Sequence, residues 1–378
     1  MVILFWDNNQ QQHLSIKYTL SIVTLKTNHL FIFLLLGLMV SCGGRYLPLQ
    51  YEKRVSQKDT TLYTKANTAT DSFSVQYLGC GGLLIQKGKD KIMVDPFFSN
   101  PTFRQVVGFG HIEADTTTID QVFKTLAYQN TQTCLISHAH YDHLMDVPYI
   151  AKHYFNQQWS IYGSETVINI LKSKNLQQQY LHATDSLATN GTTLGKWTYT
   201  SQDSTCRFMP VTYSHAPHFK LGFIDMTFFK GSYQQQPSNL NKAHHWKEGQ
   251  TMAYLIDFMQ KDSILKRIYV LTGGASNAPI GFINAIVPLQ AKKIDLMVLC
   301  VASHENVKKY PASIIQAHEP SFIMGVHWED FFTYYFASDH KKSVRMTNVP
   351  LFFDKIDQLN YQNKLLIGKP LKKFTFVF

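Results

Sequence analysis

The run Ser137-His138-Ala139-His140-Tyr141-Asp142-His143 constrains this chain more than any other feature. It follows Thr133-Cys134-Leu135-Ile136, which reads as a short apolar strand, and precedes a pattern that predicts a helix from Met145 to Tyr154 with Pro148 in its first turn. His138 and His140 lie two apart at the end of an extended segment, so both imidazoles can project to one side and bind one metal ion. Asp142 and His143 follow where the chain turns into the helix, and that change of direction lets them face a second ion beside the first. A chance His-rich surface loop would not be delivered in this way between a strand and a helix.

The surrounding chain can build a large domain around such a cluster. With 378 residues, 45% hydrophobic and 16% charged, it can bury a sizeable core, as one big α/β domain or two smaller ones. Phe73 to Tyr77 alternates like a strand, Leu78-Gly79-Cys80-Gly81-Gly82 is a turn, Leu83 to Gln86 is a second strand, and Lys91 to Val94 is a third that ends at Asp95-Pro96. Helices are expected at Ile119 to Tyr128, 165–173 and 311–318, and further strands at 159–162, 208–213, 252–258, 267–271, 295–301 and 321–326. Early strands that meander, followed by partial alternation with helices, point to a layered α/β domain on mixed sheets. Gly231 to Gln250 reads as a long polar loop, of the kind that serves as a lid or binding loop.

The first 72 residues read differently. Leu30 to Val40 is uninterrupted apolar sequence, too short for a comfortable membrane span and of the right length for the core of a signal peptide. It ends in Val40-Ser41-Cys42-Gly43-Gly44, which resembles a bacterial lipoprotein lipobox with Met39 where Leu is usual. That resemblance implies a signal peptide over 1–41, lipidation at Cys42, and a lipid-anchored place in the bacterial cell envelope. Residues 42–72, polar and without apolar period, are then expected to be a tether, and 73–378 the folded domain. The four other cysteines, Cys80, Cys134, Cys206 and Cys300, form no readable disulfide framework. Cys134 and Cys300 sit in apolar runs as small buried hydrophobes, and Cys80, in the glycine-rich turn, could approach the site but is read as packing.

The formal charge of +10, of which +9 lies beyond residue 41, favours anionic partners. No basic tract interleaved with aromatics and no nucleic-acid module is present, so nucleic acid is not expected as a partner. Phosphate-bearing small molecules or lipid-like substrates fit better, and 26 Phe and 20 Tyr supply rings for a core or an apolar groove.

From about Gln76 to Phe332 the chain resembles the metallo-β-lactamase superfamily, within it the branch that includes N-acylphosphatidylethanolamine phospholipase D and the ascorbate-6-phosphate lactonases. The resemblance rests on the His cluster, on Leu78-Gly79-Cys80-Gly81-Gly82 and on Val94-Asp95-Pro96. It implies a four-layer αββα sandwich with mixed sheets. It also implies that Asp95 orients a metal-bound His, with a turn cap as its other reading. His215, after Pro210-Val211-Thr212-Tyr213-Ser214, would complete the first ligand set with His138 and His140. His218 would contact substrate or serve as an alternative ligand, with His244 and His245 as rivals in the long loop. His327, in Ile323-Met324-Gly325-Val326-His327-Trp328, would join Asp142 and His143 at the second ion. One departure stands out: in Thr272-Gly273-Gly274-Ala275-Ser276 the family's bridging Asp is replaced by Gly274. Ser276, Asn277, a bridging hydroxide or Asp330 are the candidates to compensate.

A His-rich set with few carboxylates suits Zn²⁺ first, as one or two ions, with Mn²⁺ or Fe as alternatives. The expected chemistry is hydrolysis by metal-activated water, with Asp142 also orienting the water as the resemblance implies. A phosphodiester or lipid-like ester is the expected substrate class, a lactone or β-lactam the enzymatic alternative. A non-catalytic envelope metal-binding protein with a degenerate second site is the reading from another class.

Overall fold

The structure is a computed structural model that describes residues 44–63, 71–155, 159–200, 203–221, 224–226, 228–302, 304–337 and 342–378. The expected signal segment and Cys42 lie outside the described residues. A short helix α1 (Leu49–Glu52) leads into β1 (Val55–Ser56) and β2 (Thr60–Tyr63). The meander β3 (Ser72–Gly79), β4 (Gly82–Lys87) and β5 (Asp90–Val94) follows, then helices α2 (Phe103–Val107) and α3 (Thr116–Thr125). Strand β6 (Thr133–Leu135) delivers helices α4 (Tyr141–Leu144) and α5 (Val147–His153), before β7 (Ser160–Gly163), α6 (Glu165–Ser173), β8 (Leu181–Ala183) and β9 (Thr198–Tyr199). Strand β10 (Cys206–Thr212), the hairpin β11 (Phe219–Leu221) and β12 (Ile224–Met226), then β13 (Met252–Gln260) and β14 (Ser263–Leu271) form the centre of the chain. The C-terminal part holds β15 (Leu296–Cys300), α7 (Ala312–His318), β16 (Phe322–Val326), α8 (Val349–Asp357), β17 (Leu365–Gly368) and β18 (Lys373–Val377).

These strands make two 8-stranded mixed sheets, ordered β2-β18-β3-β4-β5-β6-β7-β8 and β1-β17-β16-β15-β14-β13-β10-β9. In the first, β3, β4 and β5 are antiparallel and β5 to β8 parallel; in the second, β10, β13 and β14 are antiparallel and β14 to β17 parallel. The two sheets meet face to face, with Tyr162 of β7 against Phe208 of β10 (4.8 Å between rings) and Phe376 of β18 against Phe322 of β16 (5.3 Å). Helix α6 packs on the outer side of β7 and β8, and Phe352 of α8 covers Gly325 of β16. This is the expected four-layer αββα sandwich. Among the described residues no helix is long and apolar enough to cross a membrane.

One expectation needs correction. The stretch expected as a tether is built into the domain from Gly44 onwards, because β1 pairs in parallel with β17 and β2 with β18, and Leu47 and Val55 are buried. Polar sequence is compatible with this because both are short edge strands, where one face and one ladder stay open to water. The helix expected over 145–154 is α5, entered at Asp146, whose carboxylate accepts from Phe98 N (2.6 Å) and Ser99 N (3.1 Å), and the separate short α4 precedes it. Pro148 sits in the first turn of α5, where its missing N–H costs nothing.

Strand β13 is buried along nearly its whole length, and it carries an acid in its middle. Asp257 faces Arg267 across the β13–β14 ladder and Arg207 across the β10–β13 ladder. Its carboxylate receives Arg267 Nε at 2.7 Å and Nη2 at 2.9 Å, and Arg207 Nη2 at 3.1 Å. Removing one member of such a group leaves an uncompensated charge in the core, which costs about 3–5 kcal/mol. Asp257→Ala is therefore expected to lower the urea midpoint by that equivalent at unchanged slope, with Asp257→Asn intermediate.

Candidate metal centre

The His run sits where four pieces of backbone converge. Beyond β6, Ile136 N donates to Tyr162 O, Met252 N to Ser137 O, and Ala139 N to Glu248 O, so the segment is pinned from β7, β13 and the end of the long loop. His140 is still extended (φ −63°, ψ 155°) and acts as N-cap of α4, whose first turn carries Asp142 and His143. His215 follows β10 through Tyr213, whose N–H donates to Thr251 O, and Ser214, whose N–H donates to Ser276 Oγ. His327 follows β16 with φ 58°, its N–H bonded to Cys80 O at 2.7 Å.

The structure brings the sequence-derived residues into two adjoining clusters. His138, His140 and His215 each offer a nitrogen within 4.8 Å of the others; Cys80, Asp142, His143 and His327 do the same with one donor atom each. The clusters touch through His138 and His143, whose ring centroids are 4.2 Å apart. In the first cluster His138 Nε2 and His140 Nδ1 approach to 2.9 Å. His215 Nδ1 lies 2.6 Å from Ala216 O, so that nitrogen donates and Nε2 keeps its lone pair free. Burial, with the neighbouring imidazoles, holds His138 and His215 well below the usual histidine range and pushes His140 down to about 3. Three imidazoles converging in this way, two of them buried and His215 partly so, are a donor set for a divalent ion.

The second cluster is anionic. Burial opposes the charge of Asp142, yet His143 and His327 keep its carboxyl well below its ordinary range. Its Oδ2 is 3.3 Å from His327 Nε2 and 3.7 Å from His143 Nε2. Burial likewise opposes the charged form of His143, but Asp95 and Asp142 raise it above the ordinary value. Asp95, fully buried with φ 40°, accepts from Ser137 N (2.7 Å), Ser137 Oγ (2.6 Å), Thr272 Oγ1 (2.7 Å) and His143 Nδ1 (2.9 Å). One carboxylate thus holds both the Ser137 turn and the His143 ring.

The remaining candidates separate clearly. His218 stacks on His215 (4.6 Å, 24°) and stands beside His140, outside the ligand cluster. Its Nδ1 accepts Phe228 N at 3.2 Å, and burial pushes its pKa down to about 4, so the neutral ring carries its proton on Nε2 and is a donor rather than a ligand. His244 and His245 lie in neither cluster; His244 packs against Phe109 at 5.0 Å. None of the side chains offered for the absent bridging Asp reaches the site: Ser276 is held by Ser214 N, Asn277 is exposed, and Asp330 is engaged by Arg345 Nε at 3.3 Å. Gly274 has φ 149°, and a Cβ there would come within 2.8 Å of His215 Cα and Ser214 O.

Two residues escaped the sequence reading. Cys80, taken as packing, points its Sγ at His327 Nε2 (3.2 Å) and Asp142 Oδ2 (3.7 Å). Burial, followed by Asp142 and Glu329, raises its thiol pKa well above normal. Glu329 holds that turn, accepting Cys80 N at 2.7 Å and Tyr77 OH at 2.5 Å. The one signal for Cys80 was its place between the glycines of the turn, where a Cβ on Gly81 would lie 2.7 Å from His143 Cε1.

Since Asp95 fixes the ring and tautomer of His143, Asp95→Asn is expected to weaken metal binding about 10- to 100-fold, measured by competition with a chromophoric chelator. Gly274→Asp tests the vacated bridging position. With no room for a Cβ, the substitution should cost about 2 kcal/mol in denaturant unfolding and bind no additional ion by elemental analysis, whereas a gain of bound metal would show that the position can still bridge.

The sequence model of the family described as "Beta-lactamase superfamily domain" matches residues 90–262. No curated protein matches the sequence. Among solved structures, the chain is similar to Igni18, a metallo hydrolase from the archaeon Ignicoccus hospitalis KIN4/I, at 14% identity and a TM-score of 0.49, covering 81% of this chain and 99% of that one. It is similar to an isothiocyanate hydrolase from Delia radicum gut bacteria at 12% identity and a TM-score of 0.48, covering 81% and 100%. It is also similar to CmlA, a diiron β-hydroxylase from Streptomyces venezuelae, at 11% identity and a TM-score of 0.45, covering 82% of this chain and 55% of that one. Residues 90–262, which match that family model, lie within a four-layer αββα sandwich consistent with the metallo-β-lactamase fold.

Proposed function

We propose that this protein is a metal-dependent hydrolase, anchored to a bacterial cell envelope through Cys42, that cleaves a phosphodiester or a lipid-like ester. The observation that carries the reading is the pair of adjoining clusters, three histidines on one side and Cys80, Asp142, His143 and His327 on the other. A divalent ion at such donors, zinc by the nature of the set, supplies Lewis acidity and lowers the pKa of water. His138, His140 and His215 would hold that ion, with Phe229 6.1 Å from the His140 ring. Asp142, kept ionised by its neighbours, accepts a hydrogen bond from the attacking water and orients it. His218, with Nε2–H free beside His140, donates to the oxygen on which negative charge develops.

The substrate class is supported by what surrounds the centre. Phe331 packs on the His327 ring at 4.7 Å, and Tyr334 and Phe336 in the same loop are exposed. Arg345, paired with Asp330, lies over Phe103 and Phe332 at 4.8 and 5.6 Å. These rings, with the basic net charge of the chain, suit an anionic head group on an apolar body. The absence of a carboxylate at Gly274 favours a second reading, an envelope protein that binds metal without turnover.

A panel of phosphodiesters, lactones and β-lactams offered to the zinc-loaded full chain separates these readings. Turnover of phosphodiesters, lost on chelation and reduced at least about 10³-fold in His140→Ala, is the expected result. Metal bound with no turnover across the panel would leave the non-catalytic reading in its place.

A further inference from the structure

We infer that Cys80 binds the second metal ion as a thiolate, supplying the negative donor missing at Gly274, so that the second site is closed by four protein ligands while the first keeps an open position. The inference deepens the metal-dependent reading above and rests on it.

The geometry of the β3–β4 turn is the first ground. Cys80 is 1% exposed and takes φ 52°, a conformation unfavourable for a residue with a Cβ. Both of its peptide groups are clamped: Glu329 Oε1 accepts its N–H, and its carbonyl accepts Tyr77 OH at 2.9 Å and His327 N at 2.7 Å. Tyr77 OH closes the frame by bonding Glu329 and accepting His327 N at 3.1 Å. The clamp therefore fixes Cys80 and His327 against each other, and the result is a sulfur facing an imidazole nitrogen and a carboxylate oxygen. A cysteine present only as packing faces apolar atoms. Cys134, inside the buried strand β6, is of that kind.

Charge is the second ground. Without a shared carboxylate, Asp142 would be the only anion among the second set, next to His143 and His327. Ligation by Cys80 exchanges its S–H for a sulfur–metal bond and releases one proton to solvent, so that thiolate and carboxylate together balance a divalent ion. The donor count then differs between the sites. Three neutral imidazoles leave a coordination position for water or substrate, the pattern of catalytic zinc, whereas Cys80, Asp142, His143 and His327 can complete a tetrahedron, the pattern of structural zinc. A thiolate also biases the second site towards Zn²⁺ or Co²⁺ over Mg²⁺ or Mn²⁺.

Cobalt titration of the full chain, with elemental analysis, reads this out without relying on turnover. The expected result is two Co²⁺ per chain and a sulfur-to-cobalt charge-transfer band in the near ultraviolet, which Cys80→Ser loses together with one of the two ions and Cys300→Ser retains. Should Cys80→Ser not fold, X-ray absorption on the zinc-loaded natural chain replaces it, with a sulfur shell at about 2.3 Å expected. Two ions bound with no charge-transfer band or sulfur shell, or a band unchanged in Cys80→Ser, would overturn the role of Cys80 and leave the hydrolase reading standing. No bound metal in the natural chain would instead remove the basis of both.

Discussion

The buried carboxylate of Asp95 is the constraint on which the rest of the centre depends. It stands just past β5 and takes hydrogen bonds from Ser137 beyond β6, from Thr272 beyond β14 and from His143 in α4. Three loops that leave different strands, two in one sheet and one in the other, are thereby tied to one atom group with no solvent to compete. A charge in that position has to be matched donor by donor. Once it is, the position of the His run relative to both sheets follows, because Ser137 is adjacent to His138 and His143 is five residues further on.

Backbone strain is also present at the centre. Cys80, Asp95 and His327 all have positive φ, and none is glycine. Each adopts it where a turn must aim a polar side chain inwards and hand its backbone to a neighbour, as His327 N does to Cys80 O. Such conformations cost of order 1–3 kcal/mol each and persist only where the surroundings over-determine them. Here the two sheets, clamped by Glu329, Tyr77 and Asp95, do so. The cost supports a site whose donors are positioned before any ligand arrives.

How much of this was legible in the sequence depended on range. Strands β10 and β13 to β16 announce themselves through dense apolar runs, since interior strands must bury both faces, and α6 through its apolar period. His138, His140, Asp142 and His143 were legible because the strand-to-helix turn that gathers them is local. Edge strands β1 and β2, and the terminal β17 and β18, were not, because what holds them is pairing with the far end of the chain rather than composition. Cys80 failed for the same reason. Its partner His327 is 247 residues away, and no local pattern records that the β3–β4 turn lies under β16.

Gly274 shows how a loss and a gain can be one change. A Cβ there would meet His215 Cα, Ser214 O and Ala216 N, so the space a bridging side chain would need is filled by the backbone that carries His215. With any larger residue that backbone would have to retreat and draw the third imidazole away from His138 and His140. With Gly274 in place the three histidines of the first cluster assemble closely, and Asp142 and Cys80 stand together in the second. Two ions so placed would share no protein ligand, and their affinities would be set by separate residues rather than by a common bridge.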